Sequence, residues 1–177
     1  MAHKGQIDFC KSVKQRWPRY FKNRKVLDVG SQDINGNNNY LFEECDILGI
    51  DLGPGPNVGL VCHGGDLDHD DETYDMIICT EAFEHDSRLK HSLENIVRLL
   101  KSNGMFLFTC AGPGRLEHGT TSAHPMDSPY TVDFYQNRSE VDVRALIDIN
   151  EVFPLHEFKI DPGVQDLYFW GIKRYPR

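Results

Sequence analysis

The sequence predicts an α/β domain, a seven-stranded and mostly parallel sheet with helices on both faces and a C-terminal antiparallel hairpin. Three observations carry this. Short apolar runs rich in β-branched residues alternate with amphipathic stretches of helical spacing, the alternation that builds parallel sheets. Two of the early runs place an acid at or near their carboxyl ends, Asp28 and Asp51, the pattern of strands that feed a ligand site. The chain then closes on two strand-like runs joined by Asp161-Pro162-Gly163, a hairpin turn. At 177 residues and 40% hydrophobic, the chain fits one domain with a substantial core.

In order along the chain, Ile7, Cys10, Val13 and Trp17 follow helical spacing, and Pro18 ends a helix over about residues 4–17. Val26, Leu27 and Val29 form the first buried strand, starting near Lys25 and placed at the centre of the sheet. Residues 35–44 allow a short helix carrying Tyr40, Leu41 and Phe42, weakened by its asparagines. Strands follow over Asp46–Leu52 and Val58–His63, separated by the Gly53-Pro54-Gly55-Pro56 turn. Tyr74–Thr80 is a further buried strand. Leu89, Leu93, Ile96, Val97 and Leu100 share one face of a helix over Ser87–Ser102, capped by Asp86 or Ser87 and stopped at Asn103-Gly104. Met105–Cys110 is the next strand, followed by a polar stretch from Arg115 to Pro129 without periodicity. Ser139–Asp142 reads as a capping box that opens a helix through about Ile149, with Val143, Leu146 and Ile147 inward. Val152–Ile160 and Asp166–Lys173 are the hairpin strands.

The net charge of −8 argues against a general nucleic-acid binder. Seven basic residues and no acid lie between Lys11 and Lys25, a distribution expected of a solvated helix face. Five scattered cysteines without a C-x-x-C pair fit a reducing compartment rather than a disulfide framework or zinc site. No signal-peptide core or transmembrane run is visible, so a soluble cytoplasmic protein is expected.

The stretch Lys25 to Gly36 is the natural starting point for function. A buried carboxylate, Asp28, is costly unless something pairs with it. Gly30 and Gly36 bracket a loop through which a ligand can approach the backbone. The dinucleotide fingerprint fails, because Gln32 and Asn35 stand where glycines are required. The stretch instead resembles the first motif of the class I S-adenosylmethionine-dependent methyltransferases. Tyr74–His85, an apolar strand followed by Thr-Glu-Ala-Phe-Glu-His, looks like the fourth-strand motif of the small-molecule, type 11-like members. The resemblance covers nearly the whole chain and implies a Rossmann-like fold in a single domain. It divides the chain into an N-terminal helix (1–24), a cofactor-binding core (25–110), a substrate loop (111–138) and a C-terminal helix and hairpin (139–177).

The resemblance implies S-adenosylmethionine as cofactor. Asp28 would face its ammonium group, Gly30, Ser31, Asp33 and Gly36 would form the first loop, and Asp51 with Leu52 would hold the ribose. Asp66 and Leu67 would contact the adenine, with Asp68 the other candidate acid, and Thr80 and Glu81 would lie beside the first loop. The acids of Asp66–Asp71 also imitate a calcium loop, but Asp71 stands at its glycine and Ile77 at its closing glutamate. Glu81, Glu84 and His85 have helical spacing suited to a metal, yet no second histidine shares that face, so no metal is expected.

An acceptor must lose a proton during methyl transfer, and a histidine suits that task. His118, in the long loop, is the first candidate and His85 the second, with Arg115, Glu117 and Tyr130 as substrate contacts. Phe134 and Tyr135 are either an aromatic wall or core. A small-molecule acceptor is expected, at oxygen before nitrogen or carbon. The alternatives are a silent cofactor-binding scaffold of the same fold, and an RNA or protein methyltransferase docking through its basic helix.

Overall fold

The computed structural model describes residues 3–131 and 133–175. Its centre is one seven-stranded sheet of order β3-β2-β1-β4-β5-β7-β6. The strands are β1 (Lys25–Val29), β2 (Asp46–Asp51), β3 (Leu60–Val61), β4 (Tyr74–Thr80), β5 (Leu100–Ala111), β6 (Leu155–Ile160) and β7 (Asp166–Ile172). The first five run parallel, and β7 lies antiparallel between β5 and β6. The expected hairpin is therefore present. The middle strand is β4 rather than the strand from Lys25, which lies next to it.

Strand alternation explains how both faces are covered. Met76 and Ile78 of β4 and Met105 and Leu107 of β5 face the helix α1 (Lys4–Arg16), meeting its Phe9, Cys10 and Val13. Ile77, Cys79, Phe106 and Phe108 face the opposite way, onto Leu89, Leu93, Ile96 and Leu99 of α2 (Leu89–Leu99). The same cluster reaches α3 (Glu140–Leu146) and α4 (Ile149–Val152) through Val143, Ile149 and Phe153. Each fully buried side chain of this size contributes roughly 1.5–3 kcal/mol.

Four expectations are corrected. The inward face of α1 is Gln6, Phe9, Cys10 and Val13, with Ile7 and Trp17 only half-buried. The helix expected over 35–44 is reduced to one 3-10 turn, Asn39–Leu41, because the asparagine side chains bind elsewhere: Asn37 Oδ1 accepts from Asn39 N (2.9 Å) and Asn38 Nδ2 reaches Asp28. Helix α2 ends at Leu99, before Asn103-Gly104, because Leu100 turns extended to pair with Tyr74. The helix from Ser139 has its capping box but breaks at the extended Ile147, and Asp148 starts α4 by accepting from Glu151 N (3.0 Å). Among the described residues, no helix is long and apolar enough to cross a membrane.

Candidate active site

The carboxyl ends of β1, β2 and β4 open into one cavity of about 550 Å³, a size that accommodates a nucleoside and a small partner. On the first side, Asp28 leaves β1 on the α1 face and is 1% exposed. Asn38 Nδ2 donates to both of its oxygens (3.1 and 3.2 Å) and also to Thr80 Oγ1 (3.1 Å). Burial pushes the Asp28 carboxyl up to about 7, and the Asn38 hydrogen bond opposes that rise.

Gly30 turns the chain out of β1 at φ +74°, and a Cβ there would stand 2.5 Å from the Ala82 Cβ. Only glycine satisfies both constraints. Asp51 ends β2 and accepts from Gln32 N (3.1 Å) and Leu52 N (2.7 Å), tying the first loop to the second. Ser31 Oγ donates to Asn57 O (3.0 Å). Asp33 accepts from Gly36 N (2.9 Å) and Asn37 Nδ2 (2.7 Å), so it shapes the loop from outside the cavity.

The opposite side begins after β4. Glu81 has φ +55°, and its carboxylate accepts from Thr109 Oγ1 (2.7 Å); burial, with Glu84 nearby, pushes it up to about 7. Phe83–His85 form a 3-10 turn. Arg138 clamps that turn, donating to Phe83 O (3.1 Å), Asp86 O (2.6 Å) and Gln136 Oε1 (2.8 Å), while Gln136 N donates to Glu84 O (2.8 Å). Glu84 is fully buried, with His118 Nε2 at 3.6 Å, an ion-pair distance rather than a hydrogen bond. Burial opposes its charge, but the His118 and His85 rings hold its carboxyl below the usual range. Burial lowers His85 and opposes the rise of His118, which Glu84 and the Leu116 carbonyl nevertheless hold above its usual value.

The loop after β5 folds back across the mouth. Gly119, at φ +68°, leaves room for His85: a Cβ would lie 2.6 Å from its Cε1. Tyr130 closes over Gly53, whose Cβ would strike its ring at 2.1 Å. Phe134 lines the cavity, and Tyr135 packs its ring edge against His85 and His118.

Of the residues singled out in the sequence, Asp28, Gly30, Ser31, Gly36, Asp51, Leu52, Thr80, Glu81, His85 and Tyr130 line the cavity. Asp33, Asp66, Leu67, Arg115, Glu117 and His118 do not. Asp66 turns outward to Arg88 (2.6 Å) and His91 (3.0 Å), and Leu67 is core. The wall assigned to them is made by Cys62, His63 and Gly64 instead. Arg115 lies 3.6 Å from the buried Asp166, and Glu117 accepts from Thr120 Oγ1 (2.6 Å) within its own loop. His118 stands behind His85, with their ring centroids 5.2 Å apart. Missed in the sequence were Asn38, hidden in a polar run, and Arg138, whose clamp follows no local pattern.

Residues 27–108 match the family described as a methyltransferase domain. No curated protein matches the chain significantly. Among solved structures, the 1,6-didemethyltoxoflavin-N1-methyltransferase of Burkholderia thailandensis, with bound 1,6-didemethyltoxoflavin and S-adenosylhomocysteine, is similar over 94% of this chain and 76% of that one (TM-score 0.65, 15% identity). A SAM dependent methyltransferase from Aquifex aeolicus is similar over 93% and 89% (TM-score 0.61, 17% identity). The phosphoethanolamine N-methyltransferase 2 of Haemonchus contortus, in complex with S-adenosyl-L-methionine, is similar over 95% of this chain and 53% of that one (TM-score 0.66, 13% identity). At such identities the shared property is the fold.

Proposed function

We propose that this chain, whose residues 27–108 are a methyltransferase domain on the class I S-adenosylmethionine-dependent fold, transfers a methyl group to a small molecule, at an oxygen before a nitrogen. The observation that carries the reading is the two-sided cavity: strand-end acids and a glycine turn on one wall, and His85, backed by the buried Glu84 and His118, on the other.

The residues present fit the cofactor. Gly30 makes a cradle that a Cβ would fill, and the cavity volume suits a nucleoside with a second small ligand. Asp28 would hold its ammonium group, Asp51 the ribose hydroxyls, and the segment Cys62–Gly64 would flank the base in place of Asp66 and Leu67. When bound, the cofactor supplies a sulfonium methyl and its own leaving group.

The chain's own work is positioning and proton handling. Tyr130 and Phe134 line the mouth and would border a small acceptor. His85 is the cluster's cavity-facing member, so an acceptor's acidic group meets the cluster on that side, with Glu84 and His118 setting the local charge from behind. His118 thus acts through the cluster and not as the direct base. Arg115 and Glu117 support the loop, while Tyr130 remains the substrate contact.

The test is incubation of the full chain with S-adenosylmethionine and a panel of small phenols, enols, alcohols and amines, following release of S-adenosylhomocysteine. Turnover with a hydroxyl acceptor is the expected result. Cofactor binding without turnover on any acceptor would favour a silent scaffold.

A further inference from the structure

We infer that Glu84, His85 and His118 form a site for one divalent transition-metal ion, opening onto the acceptor end of the cavity. The inference rests on the methyl-transfer reading for its use, but not for its existence. One carboxylate oxygen and one nitrogen from each ring lie within 4.8 Å of one another, and all three residues are buried.

The first argument is the balance of donors and acceptors. Both oxygens of Glu84 and Nε2 of His118 are buried without a hydrogen-bond partner. A fully buried carboxylate whose nearest partner is an imidazole at 3.6 Å is under-satisfied, and such groups find a proton, a cation or a metal. The second argument is ring orientation. His118 Nδ1 faces Leu116 O (3.1 Å) and His85 Nδ1 faces Phe134 O (3.3 Å), contacts that a ring N–H donates. When neutral, each imidazole therefore carries its lone pair on Nε2, the arrangement that backbone carbonyls impose on ligating histidines.

The third argument is rigidity. Arg138 and Gln136 fix the turn that bears Glu84 and His85, and Tyr135 donates to Leu116 O (3.0 Å) beside His118. The ligands come from two distant segments and are assembled by the fold, which is why the sequence, with no second histidine on the face of Glu84 and His85, predicts no metal. Among the described residues the other cluster of this kind is His3, Glu81 and Asp166, where the His3 ring already bonds the Asp166 carboxylate and Glu81 accepts from Thr109 Oγ1.

Two imidazoles and one carboxylate suit manganese, iron(II), cobalt or zinc better than magnesium or calcium, which prefer all-oxygen sets. Three protein ligands would leave coordination positions open for a further ligand, and His85, which lines the cavity, places the site beside it. An acceptor with an ionisable hydroxyl, such as a phenol, enol or catechol, is the class that such a site selects.

The test uses the full chain, stripped with a chelator and titrated with Mn²⁺, a cation that avoids the five free cysteines. Binding is read by calorimetry and by Mn²⁺ electron paramagnetic resonance, without cofactor. One ion per chain is expected, with affinity falling about 100-fold or more in Glu84→Gln and in His118→Ala, and unchanged in His124→Ala. Thermal melts check each variant's fold, and His118→Asn replaces any that fails. Absence of stoichiometric binding, or equal binding by wild type and both cluster variants, would overturn the proposal and leave a Glu84–His118 ion pair. S-adenosylhomocysteine binding by the metal-free chain, measured separately, shows whether the methyl-transfer reading stands or falls independently.

Discussion

The two walls of the cavity are built by different physics. On the wall proposed for the cofactor, Asp28, Asp51 and Thr80 sit at the ends of neighbouring strands, and the sheet itself sets their spacing. On the wall proposed for the acceptor, the turn Phe83–His85 is placed by side chains that reach across more than fifty residues of chain, chiefly Arg138. The first wall inherits its rigidity from backbone ladders. The second depends on a few buried polar contacts, so single substitutions there should cost stability, whereas on the first they should cost ligand affinity.

Arg138→Ala sharpens that contrast most. Three hydrogen bonds from a charged, buried donor are lost, and Phe83 O keeps only the longer bond from Asp86 N (3.3 Å), so a destabilisation of about 3 kcal/mol is expected in urea unfolding. Asp51→Ala should stay within about 1 kcal/mol of wild type in the same assay. Equal losses would remove the distinction between the walls.

Gly30→Ala is the counterpart on the cofactor wall. Relieving the left-handed backbone strain and the clash with Ala82 would shift the first loop, so cofactor affinity should fall roughly 10-fold in calorimetry. Wild-type affinity would mean that the glycine turn does not border the ligand.

A smaller effect separates the walls by pH. Asp28 is raised to about 7 by burial, whereas in the unfolded chain it ionises near 4. The folded protein therefore keeps a proton that the unfolded chain has lost. This contribution to stability is full below about pH 4 and disappears as pH rises toward 7. A ligand ammonium needs the carboxylate, so cofactor affinity should rise with pH up to about 7, by at most about tenfold per unit. Asp28→Asn should flatten the affinity profile. The smallest effect belongs to the basic helix, where Arg16 pairs with Glu157 (2.9 Å) and Lys14 with Glu43 (2.8 Å). These exposed, solvent-screened pairs contribute less than about 1 kcal/mol, so Arg16→Ala should barely move the melting temperature.

The sequence was most legible where structure is local. Strands β1, β2 and β4 and the final hairpin announce themselves through apolar runs and turn residues, and Asp28, Gly30 and Asp51 follow from their places at strand ends. Asn38 was obscured because its partner Asp28 belongs to a strand whose neighbours in sequence are apolar. Asp66 was misplaced because a two-residue β3 leaves its register open, and the chain passes the cavity at Cys62–Gly64 before Asp66 turns away. The link between His118 and Glu84 follows from the path of a long loop, which no periodicity records. The seven basic residues from Lys11 to Lys25 read as a solvated face, and the ion pairs of Lys14 and Arg16 agree with that.

The most direct test is calorimetric titration of the wild-type chain with S-adenosylhomocysteine, alongside Asp51→Ala and a parallel titration with NADH. The expected result is one site per chain, weakened by about 1–3 kcal/mol in Asp51→Ala, as expected for lost hydrogen bonds to a charged group, and no comparable binding of NADH. Tight NADH binding with no response to S-adenosylhomocysteine would contradict the account.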